Sequence, residues 1–180
     1  MKVVIVDNGG QWTHREWRVL KEIEVEAEII PNNTPVEKVE CDAMVLSGGK
    51  GSVSDVLGGC VDYLEKLSIP ILGICMGLHI MAVHFGGEVG KGKIGEFGKT
   101  EIELDERNEL FKELPEKFFA WESHNEEVKK APENFKILAH SKNCKVEAMY
   151  YKNMYGIQFH PEVRETEYGK QIFKNFLGVV

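Results

Sequence analysis

The 180-residue sequence predicts an α/β fold of three layers, a mostly parallel central sheet with helices on both faces, plus a small antiparallel region. Three observations carry this expectation. Short, uninterrupted apolar runs such as residues 3–6 and 43–46 suit strands buried on both faces. The segments between them repeat their apolar residues with helical spacing. Beyond Gly86-Gly87 the pattern changes to short alternating runs separated by polar turns, as antiparallel strands require. No repeat, low-complexity tract or linker interrupts the chain, so one domain is expected over residues 1–180.

The first strand is expected at residues 3–6. A Gly9-Gly10 turn follows, then a helix starting near Thr13, where Thr13 and Glu16 can form a capping box. Trp17, Leu20 and Ile23 fall on one helical stripe, and Val25, Ala27 and Ile29 alternate as a second strand before Pro31. Thr34-Pro35 with Glu37 resembles a further capped helical turn. A third strand at residues 43–46 ends in Ser47-Gly48-Gly49, a tight loop. Leu57, Cys60, Val61, Leu64 and Leu67 predict the next helix, although Gly58 and Gly59 weaken it. Residues 69–85 contain no Asp, Glu, Lys or Arg. Pro70, Gly73 and Gly77 punctuate that stretch, and His79 and His84 would be costly in lipid. It therefore reads as a buried strand and a buried helix, not a membrane span. Strands are expected at residues 100–104, 135–139, 146–150 and 155–159. Tyr168, Ile172, Phe173 and Phe176 mark a last helix.

Charge narrows the partners. With 22 Lys and Arg against 29 Asp and Glu, the net charge is −7, and the basic residues form no cluster. The attraction that drives binding to nucleic acid and to anionic membranes is missing, so neither is expected, and a small molecule or a protein is. Met1-Lys2 runs straight into the first strand without the pattern of a cleaved signal, so a cytoplasmic location is expected. The four cysteines, Cys41, Cys60, Cys75 and Cys144, lack metal-ligand spacing, and no metal is expected.

Only Cys75 has informative neighbours. Gly73-Ile74-Cys75-Met76-Gly77 has the form G-x-C-x-G between a predicted strand and helix, the thiol counterpart of a nucleophile elbow. A sharp strand-to-helix turn strains its central residue, and flanking glycines relieve the crowding. The helix N-terminus favours thiolate and aims free N–H groups at the place where an oxyanion would form. Read without its neighbours, a cysteine in an apolar run is a core residue. His160-Pro161-Glu162 follows a predicted strand, and residues i and i+2 of an extended segment point to the same side. Proline favours that extended geometry, so the imidazole and carboxylate can be neighbours, and such a His could relay the thiol proton. A surface His beside a solvated Glu is the bland alternative, and spacing alone does not bring His160 to Cys75.

The ordered pair of motifs, Gly73-Ile74-Cys75-Met76-Gly77 and Gln158-Phe159-His160-Pro161-Glu162, resembles the class I (triad) glutamine amidotransferases. Within that family the chain is most similar to the archaeal type in which the glutaminase of GMP synthase is a separate chain. Further markers are Asp7-Asn8-Gly9-Gly10-Gln11-Trp12-Thr13-His14-Arg15, Ser47-Gly48-Gly49, Glu96-Phe97-Gly98, Trp121-Glu122-Ser123-His124 and Val146-Glu147-Ala148-Met149, which span nearly the whole chain. The resemblance implies that Cys75 attacks the side-chain amide of glutamine, that His160 acts as base then acid, and that Glu162 orients His160. It implies an oxyanion hole from the backbone N–H groups of Gly49 and Met76, and substrate contacts at Ser123 and Asn125. It also implies a partner, the ATP-pyrophosphatase (synthetase) subunit that makes GMP from XMP. This chain has no GxxxxGK[ST] loop, so ATP and Mg are expected on that partner and no cofactor here.

Four positions depart from the family pattern. Leu78-His79 stands where His-Gln is usual, so His79 replaces a glutamine that helps bind substrate. Lys50 replaces a proline, and Glu126 an aspartate. Two alternatives stand beside the glutaminase reading: a catalytically weakened regulatory or scaffolding subunit, and an amidotransferase subunit of another biosynthetic pathway.

Overall fold

Alternation along the first strands sets up the layers. The computed structural model describes residues 1–180. In it Val3, Ile5, Ala43, Val45, Leu72 and Ile74 face one side of a sheet, and Val4, Val6, Met44, Leu46 and Ile71 face the other. Both sets are buried, so these strands are apolar at every position rather than at every second one.

The parallel half contains β1 (Lys2–Asn8), β2 (Glu26–Pro31), β3 (Ala43–Gly49), β4 (Ile71–Ile74) and β9 (Met154–Ile157). The antiparallel half contains β5 (Glu88–Leu104), β6 (Lys117–Lys130), β7 (Lys136–Ser141) and β8 (Ala148–Tyr151). All nine form one sheet in the order β2-β1-β3-β4-β9-β8-β7-β5-β6. Helix α1 (Thr13–Glu22) and helix α4 (Gly169–Leu177) cover one face, where Leu20, Ile172, Phe173 and Phe176 are buried. Helices α2 (Val53–Lys66) and α3 (Met76–His84) cover the other, burying Cys60, Tyr63, Leu78 and Ile80. Each large apolar side chain buried this way contributes about 1.5–3 kcal/mol. Because α1 and α2 leave β1 and β3 toward opposite faces, a crevice opens at the carboxyl ends of those strands, the usual ligand position in such sheets.

The expected three-layer α/β architecture is present, and the apolar stretch at residues 69–85 is indeed a strand and a helix. No helix is long and apolar enough to cross a membrane. The antiparallel half is larger than the alternating runs implied. Of β5 only residues 100–104 were legible, because glycines and lysines break the alternation before Thr100. In β6 no strand was legible, because Glu122, His124 and Glu127 occupy its buried positions.

Local expectations at two turns fail. Thr13 and Glu16 form no capping box: Trp12 is the N-cap and makes no side-chain cap, and the Thr13 hydroxyl donates to Asp7 Oδ1 at 3.0 Å. Thr13 is buried against the ends of β1 and β3, where these partners outcompete the helix backbone. Thr34 likewise donates back to the Pro31 carbonyl at 2.8 Å, and the turn that follows, Val36–Lys38, is a single uncapped 3-10 turn. Trp17 turns out of its stripe, and its indole N–H donates to the Ala27 carbonyl at 3.0 Å. A capping box does occur at α2, where Ser52 and Asp55 satisfy each other's backbone N–H groups.

Candidate active site

Residue Cys75 links β4 to α3 with φ +51° and ψ −98°, a conformation that an ordinary side chain avoids. Two glycines permit it. A Cβ at Gly73 would lie 2.5 Å from the carbonyl carbon of Gly77, and one at Gly77 would lie 2.2 Å from the Leu46 backbone oxygen. The spacing G-x-C-x-G is thus a packing requirement: the strand end, the helix start and β3 touch backbone to backbone around the cysteine. Strain of this kind is held by its surroundings, here partly by the Cys75 N–H bond to the Ile157 carbonyl at 2.7 Å.

The chain after β9 brings the second motif to the same place. The His160 N–H bonds the Trp121 carbonyl at 3.0 Å, and the buried Thr166 hydroxyl donates to the His160 carbonyl at 2.6 Å while accepting from the Trp121 N–H. This lashes the loop to β6. His160 Nδ1 pairs with Glu162 Oε1 at 2.7 Å, which leaves Nε2 free on the side of the cavity that Cys75 also lines; His160 Cε1 and Cys75 Cβ both flank Gly48. The Trp12 ring meets the imidazole edge-to-face, centroids 4.5 Å apart. Burial disfavours the imidazolium, but the Glu162 charge, the bond to Glu162 and the nearby Cys75 outweigh it and hold His160 well above the usual histidine range. A positioned thiol, a basic imidazole and a carboxylate that fixes the imidazole tautomer together permit nucleophilic attack with proton relay.

These groups line a cavity of about 310 Å³ at the carboxyl ends of the parallel strands. Gly49 and Met76 sit side by side on its wall, since a Cβ at Gly49 would lie 2.9 Å from Met76 Cγ. Met76 opens α3, so its N–H is among the first-turn donors without an intrahelical acceptor. Ser123 and Asn125 project from β6 onto the opposite wall, Ser123 half-buried and Asn125 exposed.

His79 also reaches the cavity, but it is only 3% exposed. Its Nε2 bonds Gln158 Oε1 at 2.8 Å, and the Gln158 amide nitrogen points at Cys75 Sγ, 3.6 Å away. The Gln158 oxygen can only accept, so His79 Nε2 carries the proton and the unpartnered Nδ1 is an acceptor. Burial pushes His79 down to about 4, with His124 adding to the effect and the Gln158 bond opposing it.

Several neighbours went unassigned in the sequence, where they stood as markers or as a cap. Gln158 contacts the thiol, Trp12 packs on His160, and Glu16 lies buried in the cavity wall. Below the Ser123 wall, Glu122 and Glu147 are wholly buried; burial pushes Glu122 up to about 8 and raises Glu147 well above the usual carboxylate range. His124 Nε2 stands 3.2 Å from Glu122. The cluster is not arranged to hold a metal ion. Nothing in the sequence pattern separates these acids from solvated ones, because their neighbours come from segments far apart in the chain.

Comparison with known proteins identifies the family. The glutamine-hydrolyzing GMP synthase subunit of Methanocaldococcus jannaschii is 48% identical, covering 98% of this chain and 96% of that one. The subunit of the same name from Thermoplasma volcanium is 46% identical, covering 99% and 92%. A crystal structure described as that of a GMP synthase subunit protein from Thermoplasma acidophilum superposes with a TM-score of 0.94 at 44% identity, covering 99% of this chain and 93% of that one. The sequence model of glutamine amidotransferase class-I matches residues 4–179, and the chain belongs to that family.

Proposed function

We propose that this chain is the glutaminase subunit of a two-subunit GMP synthase. The observation that carries the chemistry is the strained Cys75 beside a His160 that Glu162 holds by Nδ1. The Cys75 thiol gives its proton to His160 Nε2 and its sulfur attacks the side-chain amide carbon of glutamine. The Gly49 and Met76 N–H groups receive the developing oxyanion. His160 then protonates the amide nitrogen, which leaves as ammonia, and a water activated by His160 cleaves the thioester to release glutamate and regenerate the thiol. Ser123 and Asn125 flank the amino-acid end of the substrate, and His79 acts on it only through Gln158, whose oxygen its Nε2 bonds. Ammonia passes to a separate ATP-dependent synthetase that converts XMP to GMP, where ATP and Mg bind; this chain supplies no cofactor.

The names of the relatives support the pathway, since both are glutamine-hydrolysing GMP synthase subunits that match this chain over almost its whole length. Exposed Phe97 and Ile94, on the strand that brings Phe97 to the cavity, suit docking of a second subunit beside that cavity. Four free cysteines suit a reducing cytoplasm.

One observation favours a weakened subunit instead: His79 commits its only N–H to Gln158, where the family's glutamine would have donors to spare. Ammonia release from glutamine, measured with and without the synthetase subunit, ATP and XMP, separates the two. The glutaminase reading expects release that rises when partner, ATP and XMP are present. No release under any condition overturns it.

A further inference from the structure

The cavity wall holds a carboxyl group that the mechanism above does not use. Glu16, on the first turn of α1, is 1% exposed, and neither of its oxygens has a partner of good hydrogen-bond geometry. It lines the same cavity as Cys75, His160 and Glu162. On the triad side there is a matching orphan. Glu162 uses Oε1 on His160 Nδ1, but its Oε2 is buried and has no partner. Two unsatisfied buried carboxyl groups facing one small space would repel if both were charged, and each would pay the desolvation cost of an unpaired polar group.

We propose that Glu16 is a positioning residue for the triad, a carboxylic acid whose O–H serves the free Oε2 of Glu162 and so holds that carboxylate against the His160 ring. The inference rests on the triad reading of the site. Chemically it needs Glu16 to keep its proton, and its surroundings favour that. Burial and the Glu162 charge raise Glu16 well above the usual carboxylate range, and Asp7 at the end of β1 adds to this. The His160 charge and the Gly48 N–H act in the opposite direction. The other titratable groups of the cavity wall are Cys75, Lys50, His79, His124 and Glu126. When Glu16 ionises at alkaline pH, it withdraws the hydrogen bond and places a second negative charge beside Glu162. That charge stabilises the imidazolium, so His160 releases its proton to the leaving amide less readily.

The test compares wild type, Glu16→Gln, Glu16→Leu and Cys75→Ala for glutamine hydrolysis across pH 6 to 10, with the synthetase subunit, ATP and XMP present. Losing a hydrogen bond to a charged group lowers kcat of Glu16→Leu by about tenfold at neutral pH, with KM for glutamine moved by less than about twofold. Glu16→Gln keeps a donor that cannot ionise, so it recovers most of that loss and stays active at alkaline pH where wild type declines. Glu16→Leu leaves Glu162 Oε2 without a partner and is expected to melt somewhat lower than wild type, so its kcat is read well below its melting temperature, and Glu16→Gln, which keeps size and donor, separates loss of the hydrogen bond from loss of fold. The proposal is overturned if Glu16→Leu matches wild type throughout, or if Glu16→Gln shares the wild-type alkaline decline. Cys75→Ala keeps the two readings apart: its retained activity would sink the triad itself, whereas an inactive Cys75→Ala with indifferent Glu16 variants would sink only the role of Glu16.

Discussion

Replacing His79 by glutamine makes the linkage between proton binding and stability measurable. In the folded chain burial holds the imidazole neutral, with its proton affinity down to about 4. In the unfolded chain the ring is solvated and titrates near its ordinary value of 6.5. A depressed folded value means that stability is intact above about pH 6.5 and is lost as pH falls toward 4, because only the unfolded state takes up the proton. At pH 5 the unfolded ring is almost fully protonated and the folded one is not, a difference of about 2 kcal/mol. Glutamine at position 79 can donate its amide N–H to Gln158 and does not titrate. The difference in unfolding free energy between wild type and His79→Gln should therefore change by about 2 kcal/mol between pH 7.5 and pH 5, in favour of the variant at pH 5. Urea unfolding of both proteins at both pH values reads this as a relative midpoint change of about 1 M. All other titrating groups are common to the pair and cancel. A difference that is the same at both pH values would refute the assignment of His79 as a buried neutral histidine.

Three further outcomes follow from the site. A glutamine-like electrophile is expected to label Cys75 and spare Cys60 and Cys144, which are wholly buried with thiols pushed up by that burial, Cys60 to about 12; peptide mapping that finds equal labelling of all three would count against it. Glu162→Gln weakens the hold on the imidazole while His160→Ala removes the proton carrier, so glutaminase kcat should fall further in the second, by roughly a hundredfold, and the reverse order would contradict the assigned roles. Gly77→Ala forces a Cβ to within 2.2 Å of the Leu46 backbone oxygen, and calorimetry should show a loss of about 3 kcal/mol or more; an unchanged melting temperature would mean that the elbow does not need its second glycine.

The parts of this molecule that were legible in its sequence are those set by local pattern. Val3-Val4-Ile5-Val6 and Ala43-Met44-Val45-Leu46 are apolar on both faces because both faces are covered, and that shows in the residues alone. The cysteine elbow was legible because backbone contacts at Gly73 and Gly77 exclude every other residue type. Glu16 has the spacing of a cap, but its side chain turns inward, beneath Gly48 and toward Glu162, neighbours more than thirty residues away. Strand β6 was hidden for a similar reason: its inward positions carry Glu122 and His124, which are buried beside Glu147 from the loop before β8 and Glu96 from β5. His79 looks like a substrate ligand by its place in the motif, yet its Nε2 is committed to Gln158, across the sheet from β4 in the loop after β9.

In the proposed function Cys75 alone carries the covalent chemistry, while GMP formation proper occurs on the partner subunit. Cys75→Ala, assembled with the synthetase subunit, ATP and XMP, tests it in one experiment with two nitrogen sources. The expected result is no GMP from glutamine and GMP formation from ammonium at the wild-type rate. GMP formation from glutamine at a rate near that of wild type would contradict it.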